Sequence, residues 1–363
     1  MMAAKSLYIH IPFCRHICGY CDFTKLLYRE EFSFAYLNEL EKEIVQKATH
    51  KFETIYVGGG TPTCLSEEEL ERLLKILSPL LEEGGEFTVE CNPDSLTKKK
   101  AEILYRAGVN RLSIGLESGA KRLLELMDRT HDFSMVQQAV NTANAAGIHN
   151  ISVDIIYGLP EESMEELSRD IAACLCLNVP HLSAYSLSVN PGSIFHNKGY
   201  READDDIQAK MYQKILKSFR AAGYERYEVS NFARPGFKSR HNLTYWHDEE
   251  YVACGLGASG YEEGFRYTNT KNLRAYLEGN HGDVIEAVSE EDDLTYYLLT
   301  NLRLAEGFGE SSFEARFGFP FLSKYGEKFR QLEKDGLLKE ENGRIQPTDR
   351  GILLLDRILL ALI

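Results

Sequence analysis

What the chain lacks narrows its class before any motif is considered. It has no surplus of positive charge: 55 acidic against 41 basic residues leave a net charge of -14 over 363 residues. Such a surface repels a phosphate backbone, so binding of nucleic acid by overall charge is excluded and only local basic patches, such as Arg234 to Arg240, remain. No stretch approaches the ~18 apolar residues of a membrane span. The opening MMAAKSLYIHIPFC carries one Lys but no sustained apolar run of a secretion signal, and a cytoplasmic protein is expected. Internal repeats and low-complexity tracts are missing, and tryptophan is reduced to Trp246. The eight cysteines also lack the even spread of a disulfide framework: three stand at 14, 18 and 21, the others at 64, 91, 174, 176 and 254. Clustering without a secretion signal favours a metal site over disulfides.

The chain does have enough apolar residues, 44% of the total, for one large core and a smaller second one. From residue 6 to about 188, short β-branched runs alternate with longer amphipathic stretches, the pattern of a parallel α/β architecture. Six strands are predicted: Ser6 to Ile11, Thr54 to Val57, Glu86 to Glu90, Arg111 to Gly115, Ile151 to Ile156 and His181 to Leu187. Helices are predicted over Phe32 to Lys47, Glu67 to Leu80, Thr97 to Ala107 and Phe133 to Ala146. Ser66, three residues before Glu69, has capping-box spacing. Beyond residue 200 the pattern gives a helix over Asp204 to Ala222, a Gly-, aromatic- and His-rich stretch to Gly264, and then mostly helix. The end, with a strand-like pair at Gly336 to Leu338 and Arg344 to Ile345 and a last helix from Thr348 to Leu362, has the order of a winged helix. In parallel sheets ligands sit at the carboxyl ends of strands, so the informative residues should follow strands.

They do. CRHICGYC follows the first strand with C-x3-C-x2-C spacing, which lets Cys14, Cys18 and Cys21 each bind a different iron of one cubane cluster. Structural zinc is the competitor, but it ordinarily takes four closed Cys or His ligands, and only His16 stands nearby. Gly58-Gly59-Gly60-Thr61-Pro62 follows the second strand. Glycine there lets backbone N–H groups approach a ligand with no side chain in the way. Alone, this triple glycine reads as a turn; one strand after the cysteine loop it reads as a cofactor site.

Together, SLYIHIPFCRHICGYCDF, VGGGTPT, GVNRLSIGLES, DIIYGLPEES, SRHNLTYW and YVACGLGASGY resemble the radical S-adenosylmethionine (SAM) superfamily, in the branch similar to oxygen-independent coproporphyrinogen III oxidase. The resemblance implies an α/β fold: a partial (β/α)6 radical SAM barrel over residues 1–200, a connecting segment over 201–285, and a C-terminal helical, winged-helix-like domain over 286–363. It implies a 4Fe–4S cluster on Cys14, Cys18 and Cys21, with one iron open to SAM. Tyr8, Gly59, Gly60, Thr61 and Glu90 match positions near that SAM. Glu117, Arg129 and Asp154 match a second SAM site, where Glu117 stands in place of the family's glutamine and leaves two N–H donors fewer. Without the resemblance, Glu90 reads as a solvated strand end, and Arg129 and Asp154 as a surface pair.

Two features separate the oxidases from the haem chaperones of this branch. The oxidases carry a fourth cysteine two positions after the third, where this chain has Phe23. The string from His241 to Trp246 matches the chaperones' HNxxYW, in which His241 could ligate haem iron while aromatic faces pack on the porphyrin; the alternative is that His241 and Trp246 pack a core. His247 is a neighbouring ligand candidate. The resemblance thus implies a haem chaperone with a 4Fe–4S cluster, SAM and haem, passing haem to respiratory or storage haemoproteins. The oxidase or a related radical methyltransferase is the alternative. A cluster near the surface invites homodimerisation, and a membrane-bound recipient would bring the protein to a membrane peripherally. The remaining five cysteines read as small buried hydrophobes.

Overall fold

A computed structural model of the protein describes residues 4–363; residues 1–3 of the expected barrel span lie outside it. Its main body is a twelve-stranded sheet. Six consecutive parallel strands form the barrel wall: β1 (Ser6–Ile11), β2 (Phe52–Gly59), β3 (Leu81–Cys91), β4 (Arg111–Glu117), β5 (Asn150–Tyr157) and β6 (His181–Ser186). They fall where the apolar runs predict them, several extending further than expected.

Alternation along these strands explains both the barrel and its site. Leu7, Ile9, Ile55, Val57, Phe87, Val89, Leu112, Ile114, Val153 and Ile155 are buried together with the helices that follow each strand. The positions between them are mostly polar: Ser6, Thr54, Glu86 and Arg111 low in the barrel, and His10, Glu90, Ser113 and Asp154 higher. A strand has period two, so one face of each strand builds the core and the other builds a polar lumen.

The helices start where the sequence places caps. Ser66 and Glu69 form the capping box of the Glu67–Leu77 helix, and Thr97 caps the Lys98–Arg106 helix through the Lys100 amide.

Residues 201–285 depart from the expected pattern. They add β7 (Glu225–Arg226), β8 (Asn231–Ala233), β9 (Tyr251–Cys254), β10 (Ser259–Glu262), β11 (Phe265–Asn269) and β12 (Gly282–Ala287) to the same sheet. The order is β12-β11-β10-β9-β1-β2-β3-β4-β5-β6-β8-β7, with β9 parallel to β1 and the outer strands antiparallel. From Gly264 to Ala287 the chain is therefore two strands and one short helix, and the expected mostly helical pattern begins only at Glu290. Phe265 to Asn269 is rich in strand-favouring Phe, Tyr and Thr and is joined to β10 by Glu263 and Gly264, both at positive φ.

The C-terminal part has three helices, Glu290–Asn301, Glu310–Phe317 and Phe321–Lys334, then a hairpin of Leu338–Glu341 with Arg344–Pro347. Phe308–Gly309 adds a third strand to that hairpin. The single helix expected from Thr348 to Leu362 is two, Asp349–Ile352 and Leu355–Leu362.

Candidate cluster and cofactor site

The cysteine loop leaves β1 at the carboxyl end of the barrel and is fixed from four sides. The short strands Phe13–Cys14 and Leu26–Leu27 pair across its base. His10 Nε2 lies 2.8 Å from the Thr24 carbonyl. The Gly19 amide donates to the Met127 carbonyl at 3.0 Å while its own carbonyl accepts from Phe195 N at 2.8 Å. Asn190 Nδ2 donates to Asp22 Oδ2 at 2.6 Å.

So held, Cys14, Cys18 and Cys21 line one mouth of a cavity of about 500 Å³. Burial pushes the Cys14 thiol up to about 11 and raises Cys18 and Cys21 as well, while Arg129 beside Cys14 and Cys18, and Lys25 beside Cys21, pull the other way. Such thiols bind as thiolates only when a metal supplies positive charge. Among the described residues, no three His, Cys, Asp or Glu side chains converge closely enough to hold a single metal ion. Three thiols on one loop at the cavity mouth are the donor set of a cluster with one iron left open, one ligand short of the closed four of structural zinc.

The glycine turn forms the adjoining wall. Gly59 has φ +111, and a Cβ there would run into the His10 ring; a Cβ on Gly60 would come within 2.6 Å of the Phe13 carbonyl and 3.0 Å of Cys14 Sγ. Glycine is required because the turn lies directly against the cluster loop. Thr61 Oγ1 donates to Cys14 Sγ at 3.7 Å and accepts from Asn92 at 3.3 Å.

Glu90 projects from β3 into the cavity and is not a solvated strand end. Its Oε1 accepts from Tyr56 Oη at 2.7 Å and its Oε2 from Gly59 N at 3.0 Å. Burial raises its carboxyl to about 7 against those two hydrogen bonds, with Asp154 and Glu117 adding like-charge repulsion. A carboxylate so placed suits a ligand that brings a cation or hydroxyl donors.

Arg129 and Asp154 are not a surface pair. Arg129 is ion-paired with Glu117 and also donates to Asn92 Oδ1 at 3.1 Å and Cys18 Sγ at 3.4 Å. Asp154 accepts from Ser113 at 2.7 Å and Ser152 at 2.8 Å, and burial raises its carboxyl. All of these residues line the same cavity except Ser152.

Two expected residues lie elsewhere. Tyr8 does not line the cavity; its hydroxyl meets His10 Nδ1 at 2.9 Å, one layer below. His241, expected as a haem ligand or else as a core residue, lies away from the cavity. It is fully buried on the Arg240–Trp246 helix, which closes the opposite end of the barrel. Its Nδ1 meets Thr54 Oγ1 and its Nε2 meets Tyr245 Oη, each at 2.7 Å. Burial, with Arg111 nearby, pushes its imidazole down to about 3. Of the other cysteines, Cys64, Cys91, Cys174 and Cys254 are buried as expected, but Cys176 is exposed.

Sequence reading missed Tyr56, Asn92, Ser113 and Tyr185, all of which line the cavity. The signal was available: each of Tyr56, Ser113 and Tyr185 interrupts an apolar strand at a lumen-facing position, and Asn92 directly follows one.

The chain has relatives along nearly its whole length. Residues 8–174 match the radical SAM superfamily and residues 288–354 the HemN C-terminal domain. The chain is 39% identical to the haem chaperone HemW of Lactococcus lactis, covering 96% of this chain and 95% of that protein. It is 36% identical to HemW of Bacillus subtilis over 96% and 97%, and 32% identical to HemW of Escherichia coli over 98% and 97%. Its fold matches coproporphyrinogen III oxidase (HemN) of Escherichia coli with a TM-score of 0.85 at 24% identity, over 98% of this chain and 89% of that one. With likeness running nearly end to end and the three thiols gathered at the barrel mouth, the chain belongs to the HemW family of radical SAM proteins.

Proposed function

We propose that this protein is a haem chaperone that carries a 4Fe–4S cluster on Cys14, Cys18 and Cys21, takes SAM into the adjoining cavity, and passes haem to haemoproteins. The observation that carries the reading is the rim beside the cluster loop. Phe23, two residues after Cys21, lines the mouth and is 64% exposed. A phenyl face offers a porphyrin an apolar surface, and it cannot supply the thiol chemistry of a cysteine at that position. The full-length likeness to the HemW proteins supports the same reading.

When bound, the cluster supplies an electron and an open iron to SAM. The chain supplies the surroundings: Gly59, Gly60 and Thr61 line the wall with no bulky side chain, although their amides are already bonded to Glu90, Ile11 and Phe13 rather than open to a ligand, and Glu90 offers a carboxylate for the cationic end or the ribose hydroxyls. Glu117 and Arg129 satisfy one another where a second SAM is expected, so the cavity is read as taking one. Haem, as cargo, binds outside the closed lumen, because an iron bond from His241 would displace Thr54 or Tyr245 in a space with no exposure. His16, exposed within the cluster loop, and His247, half-buried at the end of the Arg240–Trp246 helix, are the ligand candidates.

The test is haem titration of the cluster-loaded protein beside His16→Ala, His247→Ala and His241→Gln, with parallel anaerobic incubation with coproporphyrinogen III and SAM. Saturable haem binding without conversion, lost in His16→Ala or His247→Ala but kept in His241→Gln, supports the proposal. Conversion of the porphyrinogen with methionine release would make the protein an oxidase instead.

A further inference from the structure

The closed floor of the barrel and the cavity at its mouth are joined through one side chain. His241 lies flat against Tyr56, with ring centroids 5.1 Å apart and planes 29° from parallel. Tyr56 in turn reaches up the lumen and donates to Glu90 in the cavity wall. Both ring nitrogens of His241 are occupied, by Thr54 and Tyr245, so the imidazole has one orientation in which to meet Tyr56.

The helix that carries His241 is itself fixed from below and from outside. Glu86 accepts from the Arg240 and His241 amides, each at 3.0 Å, and Ser6 Oγ lies 2.8 Å from Thr244 Oγ1. On the outer side, the Arg303 guanidinium sits 5.8 Å from the Trp246 ring. Asp248, two residues beyond Trp246, is held by Arg266 at 2.5 Å and Arg316 at 2.8 Å, and Arg303 and Arg316 both belong to the C-terminal part. A continuous run of packed and hydrogen-bonded groups therefore leads from the C-terminal helices through HNLTYW to the cavity.

We propose that His241 and Tyr56 are positioning residues for Glu90, so that the HNLTYW helix sets the cavity's affinity for SAM from the far end of the barrel. The proposal rests on SAM occupying that cavity. The groups around Glu90 are Tyr56 and the Gly59 amide from β2, Tyr8 from β1, Glu117 from β4, Asp154 from β5, the adjacent Cys91 and, from the HNLTYW helix, Tyr245. Among these only Tyr56 and Gly59 stabilise the ionised form. Losing the Tyr56 hydroxyl leaves Glu90 more protonated near neutral pH, and an uncharged acid pairs poorly with cationic SAM. Moving His241 shifts the Tyr56 ring and weakens the same hydrogen bond without touching Glu90.

The experiment measures SAM affinity of the full-length, cluster-loaded protein by calorimetry across the neutral pH range, for wild type, Tyr56→Phe, His241→Gln and the double variant. Tyr56→Phe should weaken SAM about tenfold, the scale of one hydrogen bond to a charged group, and move the midpoint of the pH profile upward. His241→Gln should shift affinity and midpoint in the same direction by less. The double variant should match Tyr56→Phe alone, because residues acting in series are not additive. Should His241→Gln fail to fold, Thr54→Val, which removes the Nδ1 partner together with the Thr54 hydrogen bond to Ser6 but keeps the imidazole, takes its place with the same expectation. A His241→Gln or Thr54→Val profile identical to wild type, or penalties that add fully in the double variant, would overturn the relay. Wild type that binds no SAM would overturn the cofactor reading and the relay with it.

Discussion

The Arg129 guanidinium is ion-paired with the Glu117 carboxylate inside the cavity wall and reaches Cys18 Sγ at 3.4 Å. Both side chains are nearly buried, at 8% and 10% exposed, and Glu117 sits at a positive φ of 60°. The pair thus joins the cluster loop to β4.

Breaking it one side at a time should be costly. Arg129→Met leaves a buried, unpaired carboxylate and should lower stability by about 3–5 kcal/mol, read by urea unfolding. Combining it with Glu117→Gln should recover much of the loss. Equal penalties in the single and double variants would show that the charge pairing is not what matters there.

Cluster assembly should depend on three cysteines and not on their buried neighbours. Cys14→Ala, Cys18→Ala and Cys21→Ala should each lose the brown absorbance and most of the iron after anaerobic reconstitution, while Cys174→Ala and Cys254→Ala keep both. Gly60→Ala should resemble the first group, since its Cβ would press on the Phe13 carbonyl and Cys14 Sγ. Iron and sulfide analysis decides.

Glu228 offers a pH test away from the cavity. It is fully buried, its Oε1 has no hydrogen-bond partner among the described residues, and burial raises its carboxyl from 4.5 to about 7. Between those values the folded state holds a proton that the unfolded state has released, so this group's contribution makes stability fall as pH rises from 4.5 to about 7. Glu228→Gln should flatten that slope and raise stability at neutral pH, measured by denaturation at a series of pH values. An unchanged slope would show that Glu228 ionises normally.

Asp248 joins the C-terminal part to the sheet. Its left-handed conformation, φ +55, suits Asn nearly as well as Asp. Asp248→Asn should therefore lose only the ionic bonds to Arg266 and Arg316, about 1–3 kcal/mol, while Asp248→Ala should lose more, adding backbone strain of about 1–2 kcal/mol. Thermal unfolding that ranks the two the other way would count against this assignment.

Much of this was legible in the chain itself, for physical reasons. Ile55, Val57, Phe87 and Val89 mark their strands because a buried outward face has to be apolar. Cys14, Cys18, Cys21 and Gly59 to Thr61 are legible because their chemistry is rare and local. The burial of His241 was not legible: the same HNLTYW string suits a surface ligand or a barrel plug, and only the pairing of β9 with β1 carries it under Thr54 and Glu86. Tyr56 was passed over because its partner Glu90 is 34 residues away, a separation that no local spacing rule covers. The strands after Gly264 were missed because they pair with an edge of the sheet that itself forms only once β9 has joined β1.

The most direct measurement follows haem out of the protein. Cluster-loaded protein charged with haem is mixed anaerobically with an apo-haemoprotein, and the recipient's own haem spectrum is recorded with and without SAM, beside a parallel mixture containing coproporphyrinogen III. A chaperone should yield holo-recipient faster than free haem at the same concentration, and leave the porphyrinogen unchanged. Haem that stays on the protein while the porphyrinogen is consumed would refute the chaperone reading.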